Sequence, residues 1–307
     1  MKLSLDVVDP ELRDITRRYD KLATVPDSAA RRRFGKALIR VVRFPRAKGV
    51  ELGWQRIAGS RVRTYEPAVV STDAVLFWIH GGGLISGYPT QNDHLCSTTA
   101  ATVGMRVFSS QYPLAPEQPY PAALDRLHAT WAELTKTHTR VVIGGESAGG
   151  CLAAALVQRL HDEGGLQPIG QWLLTPMLDD RTAARRELDE PEHLIWSNRA
   201  NLFGWTSYLG VAAGAETVPE YAVPARRANL AGLPPAYVMW GDIELFADED
   251  RSYAERLRAA GVEVETDVVA GGPHGFQTWA PDAAPSVALL GRAGDWLRRM
   301  AATPATR

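Results

Sequence analysis

The spacing of apolar and polar residues changes character at Val50. Before it, apolar positions recur at the 3.6-residue period of amphipathic helices. Asp9-Pro10-Glu11 reads as a cap, a first-turn proline and an acid matched to the helix dipole, and Leu12, Ile15, Tyr19 and Leu22 follow on one face. A second helix is predicted from Asp27 or Ser28, with Ala30, Phe34, Ala37, Leu38 and Val41 on its apolar side. Its opening Arg31-Arg32-Arg33 opposes the dipole and reads as a solvated face, because the rest of the chain has no matching basic stripe.

After Val50, short apolar runs bounded by Gly, Pro and Asp alternate with helical patterns, which is the texture of an α/β sheet. Ala58-Gly59 marks a hairpin between strands over 50–57 and 61–65. Further strands are predicted over 74–79, 105–109, 141–143, 169–174, 236–240 and 262–269, most of them apolar enough to be buried on both faces. Helical patterns over 121–136, 148–161 and 248–260 supply the crossovers that parallel strands need. The expectation is a mostly parallel sheet of eight strands with an antiparallel start. Residues 181–218 exceed a simple crossover and carry Trp196, Phe203, Trp205 and Tyr208. They read as an insertion that joins the N-terminal helices in a layer over the sheet.

Length and composition narrow the class. A chain of 307 residues suits one large domain with an elaboration, and 45% hydrophobic with 22% charged residues excludes a disordered or collagen-like chain. Net charge is −1, from 34 Lys+Arg against 35 Asp+Glu, so no general attraction to nucleic acid or anionic membrane is expected. Cys96 and Cys151 lie far apart with no neighbours at metal-ligand spacing, which argues against a disulfide framework or a zinc cluster and suits a reducing compartment. Met1-Lys2-Leu3-Ser4-Leu5-Asp6 opens no apolar signal region, and no run approaches the ~20 apolar residues of a membrane span, so the expected location is cytoplasmic, without stable membrane insertion.

The chemistry concentrates in three places. Gly145-Glu146-Ser147-Ala148-Gly149 stands between an apolar strand and an Ala-rich helix, where a strained strand-to-helix turn projects a serine hydroxyl and small neighbours let the backbone pass. His80-Gly81-Gly82-Gly83 follows the strand ending at Ile79. Glycine N–H groups there, from Gly82 and Gly83, together with that of Ala148 at a helix start, are candidate donors to the negative oxygen of a tetrahedral intermediate. A phosphate loop is disfavoured, since neither Lys-Ser/Thr nor Gly-x-Gly-x-x-Gly occurs there. Among seven histidines, His274 in Gly271-Gly272-Pro273-His274-Gly275 lies beyond the last strand at the sheet's carboxyl edge and is the candidate base, while His80 reads as a brace for the glycine loop. Asp242, Glu244 and Asp248 compete for the acid after strand 236–240, with Asp248 also reading as a helix cap. Residue chemistry leaves that choice open.

With these motifs assembled, the chain resembles the hormone-sensitive-lipase-like branch of the α/β-hydrolases, the bacterial family IV esterases. Tyr112-Pro113-Leu114-Ala115-Pro116-Glu117 is similar to that family's Tyr-Arg-Leu-Ala-Pro-Glu block, and Gly241-Asp242-Ile243-Glu244-Leu245-Phe246-Ala247-Asp248-Glu249 maps without gaps onto its Gly-x-x-Asp-Pro-Leu-x-Asp-Glu stretch. The resemblance places Glu244 as the acid, with His80, Gly81, Glu146 and Asp248 at supporting motif positions. Glutamate at 244, Leu245, Glu146 and Pro113 depart from the usual Asp, Pro, Asp and Arg. It further implies an α/β-hydrolase catalytic domain over 46–180 and 219–307, under a cap made of 1–45 and 181–218. Trp196, Trp205 and Tyr208 would line an apolar substrate pocket. A homodimer is the family expectation.

The expected reaction is hydrolysis of a small carboxylic ester through an acyl-enzyme, with Ser147, Glu244 and His274 acting together and no metal or organic cofactor. The lack of an exposed apolar lid helix favours short acyl chains. The same residues would also serve lactone or amide hydrolysis, or acyl transfer to an alcohol. A non-catalytic small-molecule receptor on the same fold is disfavoured by the presence of His274.

Overall fold

The computed structural model describes residues 1–21, 35, 38–39, 42 and 44–303. Most of the second predicted helix, including Arg31, Arg32 and Arg33, lies outside the described residues. The first helix forms as its sequence dictates: Asp9 accepts the Glu11 N–H at 2.8 Å, and α1 (Pro10–Asp20) buries Leu12 and Thr16.

The eight predicted strands form one sheet. They are β1 (Val50–Ile57), β2 (Ser60–Pro67), β3 (Val75–Ile79), β4 (Arg106–Ser110), β5 (Val141–Glu146), β6 (Gly170–Leu174), β7 (Ala236–Gly241) and β8 (Val264–Val269), in the spatial order β1-β2-β4-β3-β5-β6-β7-β8. β2 runs antiparallel to both β1 and β4, and every other pairing is parallel. At the hairpin, Ala58 and Gly59 both adopt positive φ, 48° and 80°, the two-residue geometry whose twist matches the flanking strands. That sets Ile57 opposite Ser60.

Packed around the sheet are α2 (Asp93–Val103), α3 (Ala122–Leu134), α4 (Ala148–Glu163), α5 (Asp180–Ala184), α6 (Asn198–Leu209), α7 (Ala247–Ala259), α8 (Phe276–Trp279) and α9 (Ala284–Ala302). Alternate residues of β3 feed two cores. Phe77 and Ile79 pack with α3, α4, α6 and α7, whereas Leu76 and Trp78 pack with α1, α2 and α9. β3, β5, β6 and β7 are therefore buried on both faces, as their unbroken apolar runs require. β8, at the sheet edge, keeps partly exposed positions instead.

Parallel register pairs Ile79 with Gly145, Glu146 with Leu174 and Gly241 with Val269, so the chain leaves β3, β5, β7 and β8 at one edge of the sheet. Beside that edge the N-terminal segment meets the stretch between β6 and β7: the Leu3 N–H donates to the Glu192 carbonyl at 2.9 Å, and the Ile195 N–H to Asp20 Oδ1 at 3.0 Å. Among the described residues no helix is long and apolar enough to cross a membrane.

Candidate active site

Ser147 directly follows β5 at φ 55°, ψ −120°, a backbone conformation that costs a non-glycine residue about 1–3 kcal/mol. Its neighbours make the turn fit. A Cβ on Gly145 would stand 2.2 Å from the Gly149 carbonyl oxygen, and one on Gly149 would stand 2.0 Å from that of Ile79. Only glycine lets α4 close onto β3 and β5 this tightly. The Ser147 N–H donates to Leu174 O at 2.9 Å, and its carbonyl accepts the Met177 N–H at 3.0 Å, so the strained residue is tied to the end of β6 and to the loop that follows it.

The serine hydroxyl lies 2.9 Å from His274 Nε2. On its other side, His274 Nδ1 hydrogen-bonds Glu244 Oε2, and Glu244 Oε1 accepts the Gly241 N–H at 3.1 Å. All three side chains are buried. The imidazole is further fixed by Phe246, edge-on at 5.2 Å, and by the Trp279 indole, which donates to the His274 carbonyl at 3.1 Å. A carboxylate on Nδ1 holds the proton there and leaves Nε2 as the acceptor facing the hydroxyl, an arrangement suited to deprotonating it.

The other two acids lie elsewhere. Asp242 Oδ1 accepts the Gly271 N–H at 2.7 Å in an exposed setting. Asp248 corrects the expectation of a cap: α7 already begins at Ala247 with Phe246 as the N-cap residue, so Asp248 stands exposed in the first turn, 3.1 Å from Arg251. Its neighbour Glu249 is the buried one, accepting the N–H groups of Leu178 at 2.6 Å and Asp179 at 3.1 Å.

The glycine loop after β3 lies against the serine. A Cβ on Gly81 would be 3.3 Å from Ser147 Cβ, and Gly82 and Gly83 take φ of 122° and 60°. Among the described residues, the N–H groups of Gly82 and Gly83 donate to no acceptor, and that of Ala148 begins α4 where no intrahelical acceptor exists. His80 packs against the loop. Its Nδ1 lies 2.8 Å from the Gly81 carbonyl and its ring stacks on Tyr112 at 4.3 Å, while the Tyr112 hydroxyl donates to the His80 carbonyl at 2.8 Å. Burial pushes the His80 pKa down to about 4, so the ring is neutral and its Nδ1–H donates.

Over residues 76–278 the chain matches the family described as having the α/β-hydrolase fold. The chain belongs to the α/β-hydrolase family. It falls in the hormone-sensitive-lipase-like branch. It is 34% identical over 226 residues to the carboxylic ester hydrolase LipN of Mycobacterium tuberculosis, a match spanning 70% of this chain and 60% of LipN. An esterase of Acinetobacter venetianus is 30% identical over 254 residues, 80% of this chain and 82% of the relative. Among solved structures, a bacterial heroin esterase superposes with a TM-score of 0.86 at 30% identity, covering 98% of this chain and all of that one, 100%. An esterase from the bacterial hormone-sensitive lipase family superposes at 0.81 with 27% identity, over 95% and 98% of the two chains.

In this α/β-hydrolase, Glu146 ties the serine turn to the histidine loop. Its carboxylate accepts from Asn92 Nδ2 at 2.5 Å, Gln277 Nε2 at 3.0 Å and Thr278 Oγ1 at 2.8 Å, and burial raises its pKa against those bonds. Asn92 is in turn held by the Trp78 indole at 3.1 Å. Sequence reasoning missed Asn92, Gln277 and Thr278, since their partner lies 54 to 132 residues away. It also missed Asp250, fully buried with neither carboxyl oxygen hydrogen-bonded among the described residues, whose pKa is raised by burial and by the charges of Glu244 and Glu249. Of the three aromatic residues expected in the pocket, Trp196 reaches the site, its ring 6.5 Å from that of His274 and hard against Gly83. Trp205 and Tyr208 sit one layer back on α6, 6.2 Å apart.

Proposed function

We propose that this carboxylic ester hydrolase is a serine esterase in which Ser147 is the nucleophile, His274 the general base and acid, and Glu244 the residue that orients the imidazole. The observation that carries the reading is the continuous contact from Ser147 Oγ to His274 Nε2 at 2.9 Å, and from His274 Nδ1 to Glu244. His274 takes the hydroxyl proton as Oγ attacks the ester carbonyl, and the N–H groups of Gly82, Gly83 and Ala148 receive the developing oxyanion. Collapse of the tetrahedral intermediate expels the alcohol, which takes the proton from His274. Water then attacks the acyl-enzyme with His274 as base, and the acid is released. Each oxyanion donor is worth roughly 10²–10³ in rate.

The N-terminal segment and residues 181–218 act in this reading as a cap over the reacting groups, and short acyl chains are preferred. Supporting this, Trp196 closes the space beside Gly83, where its ring approaches to 2.2 Å of the position a Cβ would take. The test is hydrolysis of p-nitrophenyl esters of increasing acyl length by wild type and Ser147→Ala. Turnover should fall by about 10⁴–10⁶ in the variant with the folded state retained. Near wild-type turnover by Ser147→Ala would refute the assignment.

A further inference from the structure

The turn that carries Trp196 is held in an unfavourable shape. The Trp196 N–H donates to the Leu194 carbonyl at 2.8 Å, closing a three-residue turn around Ile195, whose φ is 70°. This is the rare, strained form of the γ-turn, and a β-branched residue at positive φ persists only where its surroundings enforce it. Here the enforcing group stands 175 residues away in sequence. Asp20, the last residue of α1, accepts the Ile195 N–H on Oδ1 at 3.0 Å, while Lys2 Nζ holds its Oδ2 at 2.7 Å. Lys2 is itself fixed between two backbone bonds, from the Leu3 N–H to the Glu192 carbonyl at 2.9 Å and from the Glu192 N–H to the Met1 carbonyl at 2.7 Å. Next to Asp20, Tyr19 stacks on Trp279 at 5.4 Å, and Trp279 donates to the His274 carbonyl. The end of α1 thus rests on the histidine loop while it grips the Ile195 turn.

That turn positions the ring beside the reaction centre. Trp196 crowds Gly83 and lies 6.5 Å from the His274 ring, and Ser147 and His274 are each only 6% exposed. The same tryptophan lines a cavity of about 750 Å³, together with Tyr19, Asp20, Ser86, Ile195 and Ala200. Ser86 brings the glycine loop to that cavity, since its hydroxyl donates to the Gly82 carbonyl at 3.0 Å. One ring therefore borders both the cavity and the reacting groups.

We propose that Asp20 is a positioning residue for substrate selection: by holding the Ile195 turn it keeps Trp196 over the reacting groups, and its loss opens them toward the cavity and toward longer acyl chains. Strain gives the effect its direction. Without the Asp20 acceptor, nothing offsets the positive φ of Ile195, so the backbone relaxes to negative φ and carries the ring off Gly83. The inference rests on the serine-esterase reading.

The test is the ratio of kcat/KM for p-nitrophenyl octanoate to that for p-nitrophenyl acetate. Asp20→Ala should raise this ratio by about threefold or more, through a lower KM for octanoate. Asp20→Asn keeps an acceptor for the Ile195 N–H but not the charge, and should retain the wild-type ratio, which separates the hold on the turn from a simple gain in cavity hydrophobicity. Because Asp20 acts through the ring, adding Asp20→Ala to Trp196→Ala should leave the ratio where Trp196→Ala alone puts it. Asp20→Leu, which fills the same space without an acceptor, takes the place of Asp20→Ala if the alanine variant does not fold. An unchanged ratio, an equal shift in Asp20→Asn, or the same shift again on the Trp196→Ala background would each overturn the proposal. So would a loss that falls equally on both esters, which marks structural damage alone. Acetate hydrolysis that survives Ser147→Ala would instead defeat the serine-esterase reading, whatever the ratios.

Discussion

Replacing Glu244 by glutamine changes one atom and should disable the enzyme. The side chain keeps its volume, which matters because Glu244 is only 4% exposed. The Gly241 N–H, 3.1 Å from Oε1, demands an acceptor at that position, so the amide oxygen of glutamine takes it. The new NH₂ group then occupies the place of Oε2 and faces His274 Nδ1. Two donors cannot share that contact, so the imidazole shifts its proton to Nε2 and presents N–H rather than a lone pair to the Ser147 hydroxyl. The equivalent wrong-tautomer change in a serine protease costs about 10⁴ in turnover, or about 5 kcal/mol of transition-state stabilisation. Stopped assays of p-nitrophenyl butyrate hydrolysis, with folding checked by circular dichroism, should show this loss for Glu244→Gln. Asp242→Asn, on an exposed side chain whose hydrogen bond among the described residues is from the Gly271 N–H and survives with the amide oxygen as acceptor, should stay within about twofold of wild type. If Glu244→Gln keeps more than about a tenth of the activity, or Asp242→Asn loses as much as Glu244→Gln, the reasoning from tautomer to function fails.

Trp196→Ala removes the ring that crowds Gly83, and the acyl-length optimum for p-nitrophenyl esters should move to longer chains; an unchanged profile would show that the ring does not limit the pocket. Asp250 has no hydrogen-bond partner among the described residues and its pKa is raised, by burial first, so the native state holds a proton that the unfolded chain releases above its ordinary carboxyl pKa; stability is lost as pH rises. Asp250→Asn should therefore raise Tm at pH 8 more than at pH 4, and the opposite order would refute a neutral buried acid. His80 shifts the other way: with a folded pKa of about 4 against 6.5, the unfolded chain binds its proton first. Stability should fall as pH drops through that window, by up to about 3 kcal/mol, and urea unfolding at pH 7.5 and pH 5 should show a smaller drop for His80→Asn than for wild type.

Much of this protein was legible in the order of its residues. The eight strands follow from apolar runs and their punctuation, because a strand buried on both faces must be apolar throughout and must end where Gly, Pro or Asp turns the chain. Ser147 was legible for a related reason: small residues around a serine between strand and helix are a local steric requirement. The glycine loop after Ile79 and the histidine beyond the last strand also stand in sequence where they stand in space, at the carboxyl ends of parallel strands. The aromatic content of residues 181–218 announced an apolar layer, but not which of its rings reach the reacting groups; Trp196 stands beside His274, whereas Trp205 and Tyr208 pack against each other.

Folding alone decided the remainder. Asp242, Glu244 and Asp248 are within seven residues and chemically alike, and their fates differ because the chain leaving β7 turns so that only Glu244 points at His274. That direction is set by the Gly241 N–H and by where α7 begins, which depend on packing against β8 and not on residue type. The partners of Glu146 and the inward side of α6 are likewise products of long-range closure. Sequence fixes which groups are available and their local backbone, whereas the orientation of a carboxylate or an amide toward a partner a hundred residues away comes into being only when the two cores close.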